Sequence, residues 1–179
     1  RNVITFAYGL DGGSSVAADD AGNVFVAWHG RAPEAPQGEM GRGVFLAKSE
    51  DEGKTFSRER QITPATSGVC PCCAVKAFAG SGGSVAVLYR LAKGGLIRDE
   101  QLLFSLNGGQ TFQVAADDPW KIGKCPMSSS SISAAKSGLL AAWETAEQVR
   151  GVLLNSAGTE LQVRFVPEGA AKRKHPVIV

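Results

Sequence analysis

The octapeptide SEDEGKTF at 49–56 returns as SLNGGQTF at 105–112, and both spell Ser-x-Asp/Asn-x-Gly-x-Thr-Phe. Each copy follows an alternating apolar run, so each falls where a strand ends and a hairpin must reverse the chain within a few residues. The parts suit a rigid corner. Gly53 and Gly109 admit positive φ, and the Asp or Asn side chain bonds to the backbone of its own turn. The hydroxyls of Ser49 and Ser105 bridge the mouth of the corner, and Phe56 and Phe112 turn inward. A chain that repeats such a corner repeats the unit around it.

Aligning the corners gives three units of the length expected for propeller or solenoid repeats. The first holds SSVAA (14–18), VFVAWHG (24–30), RGVFLAKS (42–49), the corner and a strand through Ile62. The second holds AVKAFAG (74–80), SVAVLYR (84–90), EQLLFS (100–105), the corner and its following strand. In the third, SSISAAK (130–136), GLLAAWE (138–144) and QVRGVLLN (148–155) lead to a reduced turn at Ser156, Ala157 and Gly158, then to ELQVRFV (160–166). Trp28, Tyr89 and Trp143 take the same place in each second strand. The 22 glycines fall between the alternating runs, and helical periodicity is nearly absent. Four antiparallel strands per unit, repeated, predict the blades of an all-β propeller. The blades are expected at 14–66, 67–120 and 121–169, with 1–13 and 170–179 giving strands to flanking blades.

SEDEGKTF matches in full the Asp-box, or bacterial neuraminidase repeat, of the sialidase-like β-propellers, and SLNGGQTF differs only at Asn107. Over residues 14 to about 166 the chain resembles that family. The resemblance implies a ring of six blades, of which about three lie here. It also implies that Ser49, Asp51, Gly53, Phe56, Ser105, Asn107, Gly109 and Phe112 are structural and lie away from the working face. A sialidase of this kind would show an Arg-Ile-Pro signature, three arginines around the ring and a Tyr–Glu pair. No Arg-Ile-Pro occurs, and neither Tyr8 nor Tyr89 has an evident Glu partner. The expected function is therefore binding rather than sialic-acid hydrolysis. The alternative is an exo-sialidase-like glycoside hydrolase drawing on Glu144, Arg90 and Asp99, its remaining groups lying outside this chain.

With the corners on the lower face, the loops entering each first strand and leaving each second strand share the upper one. All four cysteines fall there: Cys70, Cys72 and Cys73 in SGVCPCCAV, and Cys125 in KIGKCPMSSS. Met127, His29 and His175 join them. Two readings stand open. One is a disulfide stapling neighbouring blades, such as Cys125 to a member of the 70–73 run; four cysteines allow three full pairings. The other is a metal site for copper or zinc, since thiolates with a thioether or imidazole suit soft ions. Cys-Pro-Cys-Cys does not read as the paired Cys-x-x-Cys modules of common zinc folds. Free thiols are the remaining state.

Lys and Arg total 19 against 17 Asp and Glu, a balance that argues against a nucleic-acid binder. The one dense basic run, 172–175, is read as a solvated loop. No apolar stretch reaches the ~20 residues a spanning helix needs. A first residue that is not Met suggests processing or excision from a longer chain, so an extracytoplasmic location is expected. Glycan, metal ion or protein ligand on the upper face are the expected partners. A second copy or a missing segment is expected to close the ring, because an open wedge would expose strand edges.

Overall fold

The computed structural model describes residues 2–166, 168–169 and 171–179, and for 160–165 the backbone alone. Arg1, Pro167 and Ala170, the last at the start of the entering loop expected at 170–177, lie outside the described residues.

Among the described residues, twelve strands form three separate antiparallel sheets, each a simple meander. The first sheet is β1 (Ser15–Ala18), β2 (Val24–Arg31), β3 (Arg42–Ser49) and the two-residue β4 (Arg60–Gln61). The second is β5 (Lys76–Ala79), β6 (Val85–Arg90), β7 (Glu100–Ser105) and β8 (Gln113–Asp118). The third is β9 (Ser131–Ala135), β10 (Gly138–Thr145), β11 (Gln148–Leu154) and β12 (Glu160–Phe165). Ser15 pairs Ala27, Lys76 pairs Leu88 and Ser131 pairs Ala142, each time one residue before Trp28, Tyr89 or Trp143. The three units are thus built in one register. β1 lies beside β5 and β5 beside β9, so the innermost strands gather round a common centre. The molecule is part of a β-propeller.

Alternation along the second strands decides the packing. Tyr89 enters the core between the first two sheets with Phe25, Leu46 and Val87. Trp143 enters the core between the second and third with Leu88, Leu102 and Phe104. Trp28 faces outward from the first sheet, where Val3, Ile4 and Phe6 cover it with Phe45. Residues 3–9 have no preceding sheet to join here, and of them Tyr8 makes one bridge, to Arg31 at the end of β2. Glu59 holds this segment by accepting the N–H groups of Thr5 (2.6 Å), Phe6 (2.5 Å) and Ala7 (3.0 Å) and the Thr5 hydroxyl (2.7 Å).

Both octapeptides close the same corner. Ser49 Oγ donates to Asp51 Oδ1 at 2.7 Å and accepts from Gly53 N at 2.8 Å, and Asp51 accepts the Thr55 N–H and hydroxyl at 2.7 and 2.6 Å. In the second copy Ser105 Oγ reaches Asn107 Oδ1 at 2.8 Å and Gly109 N at 3.0 Å. Here the Asn107 amide donates to the Thr111 hydroxyl at 2.8 Å, reversing the polarity of one bond while keeping the shape. Gly53 and Gly109 have φ of 83° and 76°, which a side chain would strain. The reduced third turn uses Asn155 instead, whose Oδ1 accepts from Ala157 N and Thr159 N at 2.9 Å each.

Candidate metal centre on the upper face

Two entering loops build the site. Residues 70–73 form a tight turn, with Cys73 N donating to Cys70 O at 3.4 Å and Pro71 in the second position, where its fixed φ suits the bend. Cys70 N is itself tied to Arg90 O at 2.9 Å, which fixes the turn to the end of β6. The bend places Cys70 and Cys73 on its inner side and turns Cys72 to solvent. From the next loop Cys125 reaches across the boundary between the second and third sheets. Its Sγ lies 3.3 Å from that of Cys70, which lies 3.8 Å from that of Cys73.

The three sulfurs lie within 4.8 Å of one another. A zinc ion with Zn–S of about 2.3 Å spaces tetrahedral thiolates about 3.8 Å apart, whereas a disulfide brings two sulfurs to about 2.05 Å. All four cysteines are free thiols, so the staple expected between Cys125 and the 70–73 run is not formed. Cys70 and Cys73, the members of the run grouped with Cys125, stand at Cys-x-x-Cys spacing, which the intervening Cys72 hides in the sequence.

The Cys70 thiol donates towards Cys73 and draws its pKa below the usual thiol range against the opposing effect of burial, with help from the Ser128 backbone and the Arg90 charge. Cys70 is pushed up by the same contact, by burial and by Cys125. Cys72 is raised by burial and then by the Cys125 thiol, which places it beside the cluster without joining it.

The other expected ligands stand apart. His175 is exposed, and its Nδ1 is engaged by Ser129 N at 3.2 Å and Ser129 Oγ at 3.1 Å. Met127 is 68% exposed and contributes its backbone N–H, which donates to Cys125 Sγ at 3.4 Å. His29 is buried at the end of β2, with the Asp11 backbone beside its ring. Burial lowers its pKa to about 4, the Asp11 backbone opposing and the Arg42 charge adding to the fall. Gly12 makes room for it: a Cβ there would meet Pro71 O at 1.9 Å and His29 Nδ1 at 3.0 Å.

The groups expected to serve a glycosidase are built into the frame. Arg90 is 1% exposed, pairs with Glu100 at 2.9 Å, and donates to Arg98 O at 2.7 Å and to Glu144 O at 2.6 Å. Its guanidinium also covers the Trp120 ring, 5.3 Å from the centroid. Asp99 Oδ1 accepts from Trp120 N at 2.7 Å. Glu144 is fully buried, and its Oε1 accepts from Glu147 N at 2.9 Å. Glu100 escaped the sequence reading, although its place opposite Arg90 in the β6–β7 register was a usable signal. Burial raises its pKa to about 7, Arg90 opposing and the Cys73 charge adding to the rise. An open cleft of about 500 Å³ adjoins the cluster, with Cys125, Trp120, Met127, Glu144, Lys124 and Lys174 among its walls.

No protein-family model matches the sequence, and no curated protein matches it either. Solved structures do resemble it in shape. A Hadza microbial sialidase shares 13% identity and a TM-score of 0.56 over 90% of this chain and 33% of its own. The Trypanosoma rangeli sialidase, solved with the inhibitor DANA, shares 12% identity and a TM-score of 0.55 over 84% of this chain and 27% of its own. A GH43 β-xylosidase/α-arabinofuranosidase from a compost microbial metagenome shares 12% identity and a TM-score of 0.52 over 93% and 61%. The chain therefore spans about a third or less of the two sialidases, and the likeness is one of fold.

Proposed function

We propose that this chain is a three-blade part of a sialidase-like Asp-box propeller, with blades at 14–66, 67–120 and 121–169, whose upper face binds a soft metal ion. Cys70, Cys73 and Cys125 are the ligands, and zinc or copper(I) is the ion. One observation carries the reading: three thiols from two neighbouring blades converge within 4.8 Å, two of them sealed from solvent. Thiolates select zinc and copper(I) over harder ions. An extracytoplasmic setting, with a glycan or protein also bound on this face, accompanies the proposal. The ring continues beyond the third blade. In support, Ile178 N donates to Ser131 Oγ at 3.1 Å as Ala77 N donates to Ser15 Oγ at 3.0 Å. Residues 177–179 thus start an inner strand of a fourth blade.

Elemental analysis combined with iodoacetamide labelling tests the metal. One equivalent of zinc or copper(I) is expected to bind and to protect Cys125, the accessible member of the three, while Cys72 still labels, and Cys73→Ser is expected to abolish retention. No bound metal, or protection unchanged by it, defeats the proposal.

A glycoside hydrolase is the second reading, favoured by the contact between Arg90 and the Glu144 backbone on this face. Against it, the Arg90 guanidinium is already committed to Glu100, Arg98 and Glu144. Turnover of a fluorogenic sialoside that Glu144→Gln removes would put this reading first.

A further inference from the structure

Cys125 differs from its two partners in exposure. Cys70 and Cys73 are sealed, at 0% and 3%, while Cys125 is half-buried and lines the adjoining cleft. Three protein thiolates leave one position of a tetrahedral ion to a donor from outside the protein, as in zinc sites that exchange ligands. The remaining walls of the cleft say what that donor is.

Glu144 supplies the first requirement. Its Oε1 is satisfied by Glu147 N, but its Oε2 is buried with no hydrogen-bond partner among the described residues, and Glu144 is part of the wall of this cleft. A buried carboxylate oxygen left alone is costly, and an N–H donor carrying positive charge satisfies it best. Lys124 and Lys174 line the same cleft and suit an anionic group, while Glu147 at its mouth is occupied by Lys172 at 2.8 Å. Trp120 and Met127 give it an apolar side.

We propose that the cleft binds a small α-amino thiol acid of the cysteine kind beside the metal. This rests on the metal reading above. The ligand's thiolate takes the fourth position on the ion, its ammonium meets Glu144 Oε2, and its carboxylate lies by Lys124 and Lys174. The thiol's S–H bond breaks with its proton passing to solvent, and the thiolate takes the place of the water that otherwise completes the ion's shell, which leaves to solvent.

The test uses the full chain loaded with cobalt(II), whose thiolate charge-transfer band reports the number of sulfurs. Cysteine, cysteamine and 3-mercaptopropionate are added in turn. Each is expected to intensify the band, with cysteine the tightest. Glu144→Gln is expected to weaken cysteine and cysteamine about tenfold or more, by loss of a charged hydrogen bond, and to leave 3-mercaptopropionate unchanged. Lys124→Ala is expected to weaken cysteine and 3-mercaptopropionate and to spare cysteamine. The band before thiol addition verifies that each variant folds and holds cobalt. A normal band that no thiol alters overturns this proposal alone, as does a Glu144→Gln variant that treats amine-bearing and amine-free thiols alike. No thiolate band at all overturns the metal reading, and this one with it.

Discussion

At the scale of single residues, two sets of carboxylates pull the stability in opposite directions with pH. Burial alone would raise the Glu59 pKa, but the Phe6 N–H, the Thr5 hydroxyl and the Ala7 N–H outweigh it and hold the group at about 2. Asp51 is also held at about 2, by the Thr55 hydroxyl and N–H and by Ser49. A depressed pKa contributes stability above the unfolded value of about 4, lost as the pH falls towards 2. Glu100 has the opposite sign. Its raised pKa favours the folded state at low pH, and that contribution fades as the pH rises from about 4.5 to about 7. His29, whose pKa burial lowers to about 4, adds stability as the pH rises from about 4 to 6.5 and so opposes the loss at Glu100. Metal-free protein is therefore expected to gain stability from about pH 2 to about 4.5 and to change little from there to about 6.5, measured by urea unfolding across pH. Glu59→Gln is expected to flatten the acid limb, and Glu100→Gln to turn the plateau into a continued rise; an unchanged profile in both variants contradicts these assignments. Arg90→Met is expected to cost about 3–5 kcal/mol near neutral pH by leaving Glu100 buried and uncompensated, and less below pH 5. Such groups were hard to foresee, because burial is a property of the packed blades. His29 was identified in the sequence as an upper-face residue, and Arg90 and Glu144 as candidate glycosidase groups. Each directly follows an aromatic residue of its second strand, and the packed blades bury all three.

At the scale of elements, the corners were the most legible part of the sequence, because the Ser and Asp/Asn side-chain bonds that shape them lie within eight consecutive residues. Ser105 shows what one such bond does. Its hydroxyl holds the buried Gly109 N–H at 3.0 Å and orients Asn107. Ser105→Ala is expected to cost about 1–3 kcal/mol by leaving that donor unsatisfied, measured by the shift of the urea midpoint at constant slope. An unchanged midpoint would show that the corner does not depend on the hydroxyl. The turn after β10 was placed in the sequence between GLLAAWE and QVRGVLLN, although 144–154 alternates throughout. Positive φ at Ala146 (54°) and Glu147 (62°) breaks it into a hairpin of the tight kind. The cysteine turn was legible in place and obscure in detail. Topology put 70–73 and 125 on one face, but three cysteines within four residues concealed which two point inward. Pro71 and the bond from Cys73 N to Cys70 O make that choice.

At the scale of the whole molecule, three sheets in one register share two cores, and the thiol cluster spans the junction of the second and third. A bound ion there ties neighbouring blades across their upper rim, while Trp143 and its apolar neighbours join them below. Metal is accordingly expected to raise the unfolding midpoint of the chain, by an amount that grows with free metal concentration. The most direct measurement is X-ray absorption at the zinc edge of the zinc-loaded chain without added thiol. The account predicts three sulfur scatterers at about 2.3 Å and one lighter atom completing the shell, with one sulfur lost in Cys125→Ser. A shell of nitrogen and oxygen alone, or one unchanged by that substitution, would contradict it.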